Sequence, residues 1–74
     1  MKHWQTMFGN KVKELRREAG FSQEALADEA GIHRSHLGKI ERGTIDITLS
    51  TMIKIARILQ VKPSVLLYGI GSKA

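Results

Sequence analysis

Cysteine is absent from this sequence, and proline and aromatic residues are scarce: one proline, two phenylalanines, one tryptophan and one tyrosine. The absence of cysteine excludes disulfide frameworks, cysteine-ligated zinc sites and thiol catalysis. It also fits a reducing compartment, and we expect a cytoplasmic protein. No apolar run approaches the ~20 residues of a membrane span, and the N-terminal segment lacks the apolar core of a signal peptide. We therefore expect neither a membrane segment nor secretion.

The chain is short, and its pattern of apolar residues is helical. Its 74 residues fall below the usual size of two domains, so we predict a single domain over 1–74. No segment alternates apolar and polar residues as a half-buried strand would, which predicts an all-α fold. A core this small gains little stability from its own burial, and a partner subunit would add to it.

Charge is distributed unevenly along the sequence, which carries a formal net charge of +5. Residues 1–17 hold five lysines and arginines against one glutamate, whereas residues 18–30 hold four acids and no lysine or arginine. From Arg34 onward, basic residues again outnumber acids. A basic surface of this kind is often only solvated, but it also suits a polyanion such as nucleic acid.

The first three helices are predicted from apolar spacing and from residues typical of helix ends. Ser22 is a typical N-cap for a second helix, which Gly31 ends because glycine tolerates a left-handed backbone. A third helix then runs from His33 to Gly43. The first helix ends at Gly20, and its apolar face consists of Phe8, Val12, Leu15 and Ala19.

Two further helices are predicted in the C-terminal half. Thr48 can cap a fourth helix over 49–59, whose apolar stripe is wide enough for a central position in the fold. Pro63 suits the first turn of a short fifth helix that reaches about Tyr68. Residues 69–74 are expected to fray.

The segment 23–40 meets the packing demands of two helices joined by a tight turn. A small residue, Ala27, stands where the helices would cross, and Gly31 stands at the turn. An ordinary helical corner uses the same packing, so the outer face of the third helix decides between a structural and a DNA-binding interpretation. The apolar residues that can fill the shared corner are Leu26, Ala30, Ile32, Leu37 and Ile40.

The outer face of the third helix is basic and free of acids. It presents Arg34, Ser35, His36 and Lys39, and Arg42 follows just after. Arginine is the commonest side chain that binds guanine through two donors, and serine can donate or accept. A helix with such residues in its N-terminal half suits the major groove of DNA.

Two segments carry a resemblance to a known family. Residues 22–43 read SQEALADEAGIHRSHLGKIERG, and residues 48–69 read TLSTMIKIARILQVKPSVLLYG. Both resemble the phage-repressor-like (Cro and XRE type) helix-turn-helix family, which implies a compact five-helix, lambda-repressor-like fold. The HRSH segment, the ERG ending and the short length further resemble the controller proteins of restriction-modification systems. Antitoxins and phage or plasmid repressors share most of these features, so the subfamily stays open.

The resemblance implies a sequence-specific transcriptional regulator and assigns roles to individual positions. Gly38 departs from the polar residue usual in the family, and it either permits close approach to DNA or is neutral. His33 matches a position that caps the third helix. Base-reading positions of the family match Arg34, Ser35 and Lys39. Positions that contact the DNA backbone match Gln23, His33, His36, Arg42 and Thr44.

An internal ion pair and a dimer interface are also expected. In the family, the positions of Arg16 and Glu41 pair and tie the first helix to the third. The loop before the fourth helix and the fifth helix carry more apolar residues than one core can cover. A two-fold dimer would bind a palindromic operator in double-stranded DNA, and RNA polymerase is a further candidate partner. The predicted interface consists of Ile45, Ile47, Val65, Leu66 and Tyr68.

Other interpretations have less support. His33 and His36 stand three residues apart, but no third ligand is in view, so we expect no metal site and no cofactor. Glu24, Asp28 and Glu29 favour a solvated helix face over acid–base catalysis, and we expect no enzyme. The main alternative function is an antitoxin-like module that holds another protein through the apolar surface of the fourth and fifth helices.

Overall fold

The computed structural model describes residues 3–68 and 70, and these residues form five α-helices. In chain order they are α1 (His3–Glu18), α2 (Gln23–Ala30), α3 (Arg34–Arg42), α4 (Leu49–Leu59) and α5 (Pro63–Leu67). No strand occurs among the described residues, and the all-α prediction is confirmed. In the same part of the chain, no helix combines the length and apolar character that a membrane span requires.

Hydroxyl side chains and a glycine set the helix ends at the positions that the sequence predicts. The Ser22 hydroxyl accepts a hydrogen bond from the Ala25 amide, and the Thr48 hydroxyl accepts one from the Thr51 amide, so α2 and α4 begin with capped backbones. Gly31 ends α2 with φ of 71°, a conformation that strains other residues. The chain then needs only three residues to pass from α2 to α3.

One cluster of apolar side chains holds the five helices together. Burial of each large member contributes about 1.5 to 3 kcal/mol, so this cluster is the main source of stability. Both α1 and α4 supply members, and the helix pair α2 and α3 packs against them. The largest fully buried side chains are Phe8, Val12, Leu26, Leu37, Ile55 and Leu66.

Glycine permits a close crossing of α1 and α3. A Cβ atom at Gly9 would lie 2.3 Å from the Ile40 carbonyl oxygen and 2.6 Å from the Glu41 carbonyl oxygen. These are backbone atoms, which cannot move away without displacing α3. The role of Gly9 was not predicted from the sequence, although a glycine inside a helix costs about 1 kcal/mol of propensity and often marks a packing need.

The structure corrects three expectations. Leu66, expected at the dimer interface, is fully buried in the core of its own chain, so its side chain is not available to a partner. Three consecutive apolar residues in a short helix do not reveal which of them points inward. Ala19 is exposed rather than part of the α1 apolar face. Ile70, expected in a frayed tail, packs against the core, whereas 69 and 71–74 lie outside the described residues.

Candidate nucleic-acid interface

A buried ion pair holds α3 against α1. Arg16 Nε donates to Glu41 Oε2 at 2.7 Å, and Arg16 Nη2 donates to Glu41 Oε1 at 3.1 Å. The two side chains are 9% and 2% exposed. Arg16 Nη1 also donates to the Phe21 carbonyl oxygen at 2.8 Å, which ties the turn after α1 to the same pair. The structure thus brings together the two residues whose pairing the family resemblance implies.

Gln23 extends this network to α2. Its Nε2 donates to Glu41 Oε1 at 3.0 Å, and the same half-buried side chain lines the outer surface of α3. An amide nitrogen carries two hydrogens, so the bond to Glu41 leaves a second hydrogen for an acceptor such as a phosphate. A contact between Gln23 and the DNA backbone would therefore be coupled directly to the buried Glu41 carboxylate.

The outer side of α3 forms a shallow cavity of about 260 Å³. None of the residues that line it is acidic, and most of them carry hydrogen-bond donors. The three candidate base readers are exposed and lie together in this cavity, where an acceptor-rich ligand such as a major-groove base edge would find donors. The lining residues are Gln23, Arg34, Ser35, Gly38, Lys39 and Arg42.

The first turn of α3 lacks the local features that usually stabilise a helix start. His33 is the N-cap residue of α3, as predicted, and its backbone is extended, but its side chain makes no capping hydrogen bond. The first turn contains no acid, and Arg34 places a positive charge where the helix dipole disfavours one. Departures from local stabilisation of this kind are typical of functional sites.

The other residues expected at the DNA backbone lie outside the cavity. His33 and Thr44 are exposed, and His36 is half-buried. Thr44 Oγ1 donates to the Lys39 carbonyl oxygen at 3.2 Å, which helps to close the end of α3. Within residues 3–68 and 70, no three side chains of the metal-ligating types come close enough to hold a metal ion.

A family model described as "HTH_3: Helix-turn-helix" matches residues 12–66, which include the buried pair, the tight turn and the basic cavity. The chain belongs to this helix-turn-helix family. The chain is 42% identical over 62 residues to Control protein C.BamHI of Bacillus amyloliquefaciens, a match that covers 82% of this chain and 76% of the relative. Members of the family regulate transcription rather than catalyse reactions, so this protein is a DNA-binding transcriptional regulator.

Solved structures of related regulators show the same fold. The restriction-modification controller protein C.AhdI from Aeromonas hydrophila matches this helix-turn-helix protein with a TM-score of 0.82 and 39% identity, over 84% of this chain and 94% of that chain. The biofilm regulator SinR, in a structure with DNA, matches it with a TM-score of 0.78 and 33% identity, over 81% of this chain and 97% of that chain. The predicted five-helix, lambda-repressor-like architecture is confirmed.

The residues expected at the dimer interface of this helix-turn-helix protein differ in exposure. Ile45 and Ile47 are half-buried and pack partly against the core of their own chain. Val65 is 38% exposed and Tyr68 is 80% exposed. Leu49, which starts α4 and is not among the residues predicted for the interface, is 65% exposed. Exposed apolar side chains therefore occur on both of the last two helices.

Proposed function

We propose that this regulator is a homodimer that binds a palindromic operator and controls a restriction-modification system. The observation that carries DNA binding is the acid-free cavity on α3, where Arg34, Ser35 and Lys39 stand exposed together. Their donors match the acceptors that guanine and other bases present in the major groove. Similarity to C.BamHI and C.AhdI supports the controller assignment.

In the proposed complex, base readers and backbone contacts have separate tasks. Arg34, Ser35 and Lys39 read base edges. Contacts to phosphates position α3 on the duplex without reading its sequence. A two-fold dimer would set its two copies of α3 about 34 Å apart, which is one turn of B-DNA. The proposed phosphate contacts are Gln23, His33, His36, Arg42 and Thr44.

The proposed binding to an operator also implies a cellular location and a second partner. A bacterial regulator of this kind meets its operator in the cytoplasm. At a promoter, the dimer would either block RNA polymerase or contact it, so the polymerase is its second proposed partner. Activation and repression are equally compatible with the surface of α3.

Selection of bound duplexes from a random DNA library, followed by titration of the selected duplex, tests base reading. Arg34→Ala should cost about 1 to 3 kcal/mol on the selected duplex and relax the preference at one base pair. As a comparison, Gln23→Ala should weaken binding to the selected duplex and to the scrambled duplex to a similar extent. If Arg34→Ala loses the same affinity for both duplexes, Arg34 contacts a phosphate and not a base. If the wild type selects no common motif, sequence-specific binding is rejected.

The apolar surface of α4 and α5 favours a second candidate function, an antitoxin-like module that holds another protein. Leu49, at the start of α4, and Tyr68, directly after α5, are the most exposed large apolar residues of this surface. A gel shift with random duplex DNA, with and without competitor, separates the two functions. A protein that fails to shift DNA even at low salt would favour the interaction module, because nonspecific binding to phosphates is strongest there.

A further inference from the structure

A row of three residues along α3 has a gap in its middle. Arg34, Gly38 and Arg42 follow one another at four-residue spacing, so they lie on one side of the helix. The middle residue carries no side chain, and all three line the cavity on the outer surface of α3. The two arginines therefore flank a gap whose floor is the backbone at Gly38.

The Arg42 side chain turns back over this gap. A Cβ atom at Gly38 would lie 3.2 Å from Arg42 Nη1, and no other contact within 4 Å is found beyond the local backbone. The guanidinium thus occupies the edge of the space that a side chain at position 38 would need. It is the flexible end of a long side chain, so it can yield to a methyl group, but only by leaving this position.

We propose that Gly38 is a specificity-determining position, and that the gap above it admits the major-groove edge of one guanine between Arg34 and Arg42. Arg34, at one end of the gap, carries donors that match the two acceptors, O6 and N7, that guanine presents in the major groove, while Arg42 keeps its proposed phosphate contact at the other end. Gly38 is buried beneath the Arg42 side chain in the free protein, so the guanidinium must move aside before a base can approach. Once it has moved, the lack of a side chain at position 38 lets the backbone of α3 come closer to the bases. This inference rests on the proposed DNA-binding function. It adds to that function a close approach of one base to the backbone at Gly38.

Gly38→Ala tests the gap, because it fills the space and improves the helix at the same time. Alanine is the better helix former, so the variant should melt about 2 to 6 °C higher. Its affinity for the duplex selected by the wild type should nevertheless fall about tenfold, while its affinity for a scrambled duplex changes less than about twofold. A merely structural role for Gly38 would not combine higher stability with lower discrimination.

Asn10→Ala is the matched control. Asn10 is an exposed residue inside α1, so the substitution also introduces a better helix former but leaves the cavity intact. We expect a similar rise in melting temperature and unchanged affinity for both duplexes. Discrimination lost in both variants would mean that added helix stability, and not the filled gap, is responsible.

Guanine analogues in the selected duplex identify the group that enters the gap. Each guanine is replaced in turn by 7-deazaguanine, which keeps base pairing but removes the N7 acceptor. At one guanine of each half-site, the wild type should lose about fivefold or more in affinity, and Gly38→Ala should lose little further. If no position behaves in this way, a guanine edge does not occupy the gap.

The remaining outcomes are also decisive. If Gly38→Ala loses the same affinity for the selected and the scrambled duplex, the glycine serves only the proposed phosphate contact of Arg42, and no base edge enters the gap. That result overturns the inference. An unchanged affinity for both duplexes would overturn it as well. A wild type that selects no motif would instead reject the proposed function, on which this inference rests, whereas a selected motif with an indifferent Gly38→Ala variant rejects this inference alone.

Discussion

Glu41 of α3 accepts hydrogen bonds from Arg16 of α1 and from Gln23 of α2, so one carboxylate connects three helices. Its side chain is 2% exposed, and water cannot replace a lost partner there. The same glutamine lines the cavity on the outer surface of α3. The orientation of that surface therefore depends on a buried charge network as well as on apolar packing.

Substitution of Glu41 by glutamine should strongly destabilise the fold. The variant leaves the Arg16 guanidinium buried without its counter-charge, and loss of one partner from a buried pair costs about 3 to 5 kcal/mol. Urea denaturation followed by circular dichroism measures the change in the free energy of unfolding. Glu14→Gln is the control, because Glu14 Oε1 lies 3.6 Å from Lys11 Nζ in a largely exposed pair. That control should cost less than about 1 kcal/mol, and similar losses in the two variants would refute the importance of the buried pair.

At the scale of the elements, features that depend on local sequence were predictable. Ser22, Gly31 and Thr48 begin or end helices by interactions within a few residues, and the structure has them in these roles. Leu66 was misassigned because the inward side of a five-residue helix depends on how that helix meets α1 and α4. Packing between distant segments leaves no such local signature.

Within the candidate site, residue types were predictable but side-chain directions were not. The basic, acid-free composition of α3 follows from the sequence, and the cavity contains the three expected base readers. The bond from Gln23 to Glu41 and the position of Arg42 over Gly38 depend on rotamers of long side chains, which the sequence pattern does not determine. That His33 occupies the N-cap position without a side-chain capping hydrogen bond likewise required the structure.

Gly9→Ala should separate α1 from α3. The added methyl group would overlap backbone carbonyl oxygens of Ile40 and Glu41, with the shorter distance only 2.3 Å. Overpacking of this kind costs about 1 to 3 kcal/mol or more, which exceeds the gain of about 1 kcal/mol from replacing glycine in a helix. Thermal unfolding should therefore show a lower melting temperature for Gly9→Ala. Asn10→Ala, the neighbouring substitution on the exposed side of α1, should raise it, and a rise in both would mean that the crossing tolerates a side chain.

At the scale of the whole molecule, apolar side chains remain uncovered on two adjacent helices. Leu49 and Ile53 of α4 are 65% and 37% exposed, and Val65 and Leu67 of α5 are 38% and 39% exposed. Single exposed apolar residues are common on monomers, but a group on neighbouring helices favours a protein contact. Because α4 and α5 pack together, we expect one partner surface to cover this group. The proposed dimer uses it.

Val65→Asp should abolish the proposed dimer without unfolding the chain. Val65 is a better test position than Leu66, because a charge at the fully buried Leu66 would disrupt the core whether or not a dimer exists. A carboxylate at Val65 lies at the surface of the monomer but would be desolvated within a dimer. Sedimentation at micromolar concentration should therefore give a dimer for the wild type and a monomer for the variant. Circular dichroism should show unchanged helix content.

Met7→Asp is the control for this substitution, because Met7 is similarly exposed, at 45%, but lies on α1. It should leave the dimer intact. DNA binding gives a second measurement of dimer formation. The wild type should bind a full palindrome far more tightly than a half-site, because the two linked DNA-binding sites of a dimer gain from effective concentration. Val65→Asp should lose most of that advantage while it keeps its affinity for the half-site. A wild type that sediments as a monomer, or a Val65→Asp variant that still prefers the full palindrome, would place the interface elsewhere or rule it out.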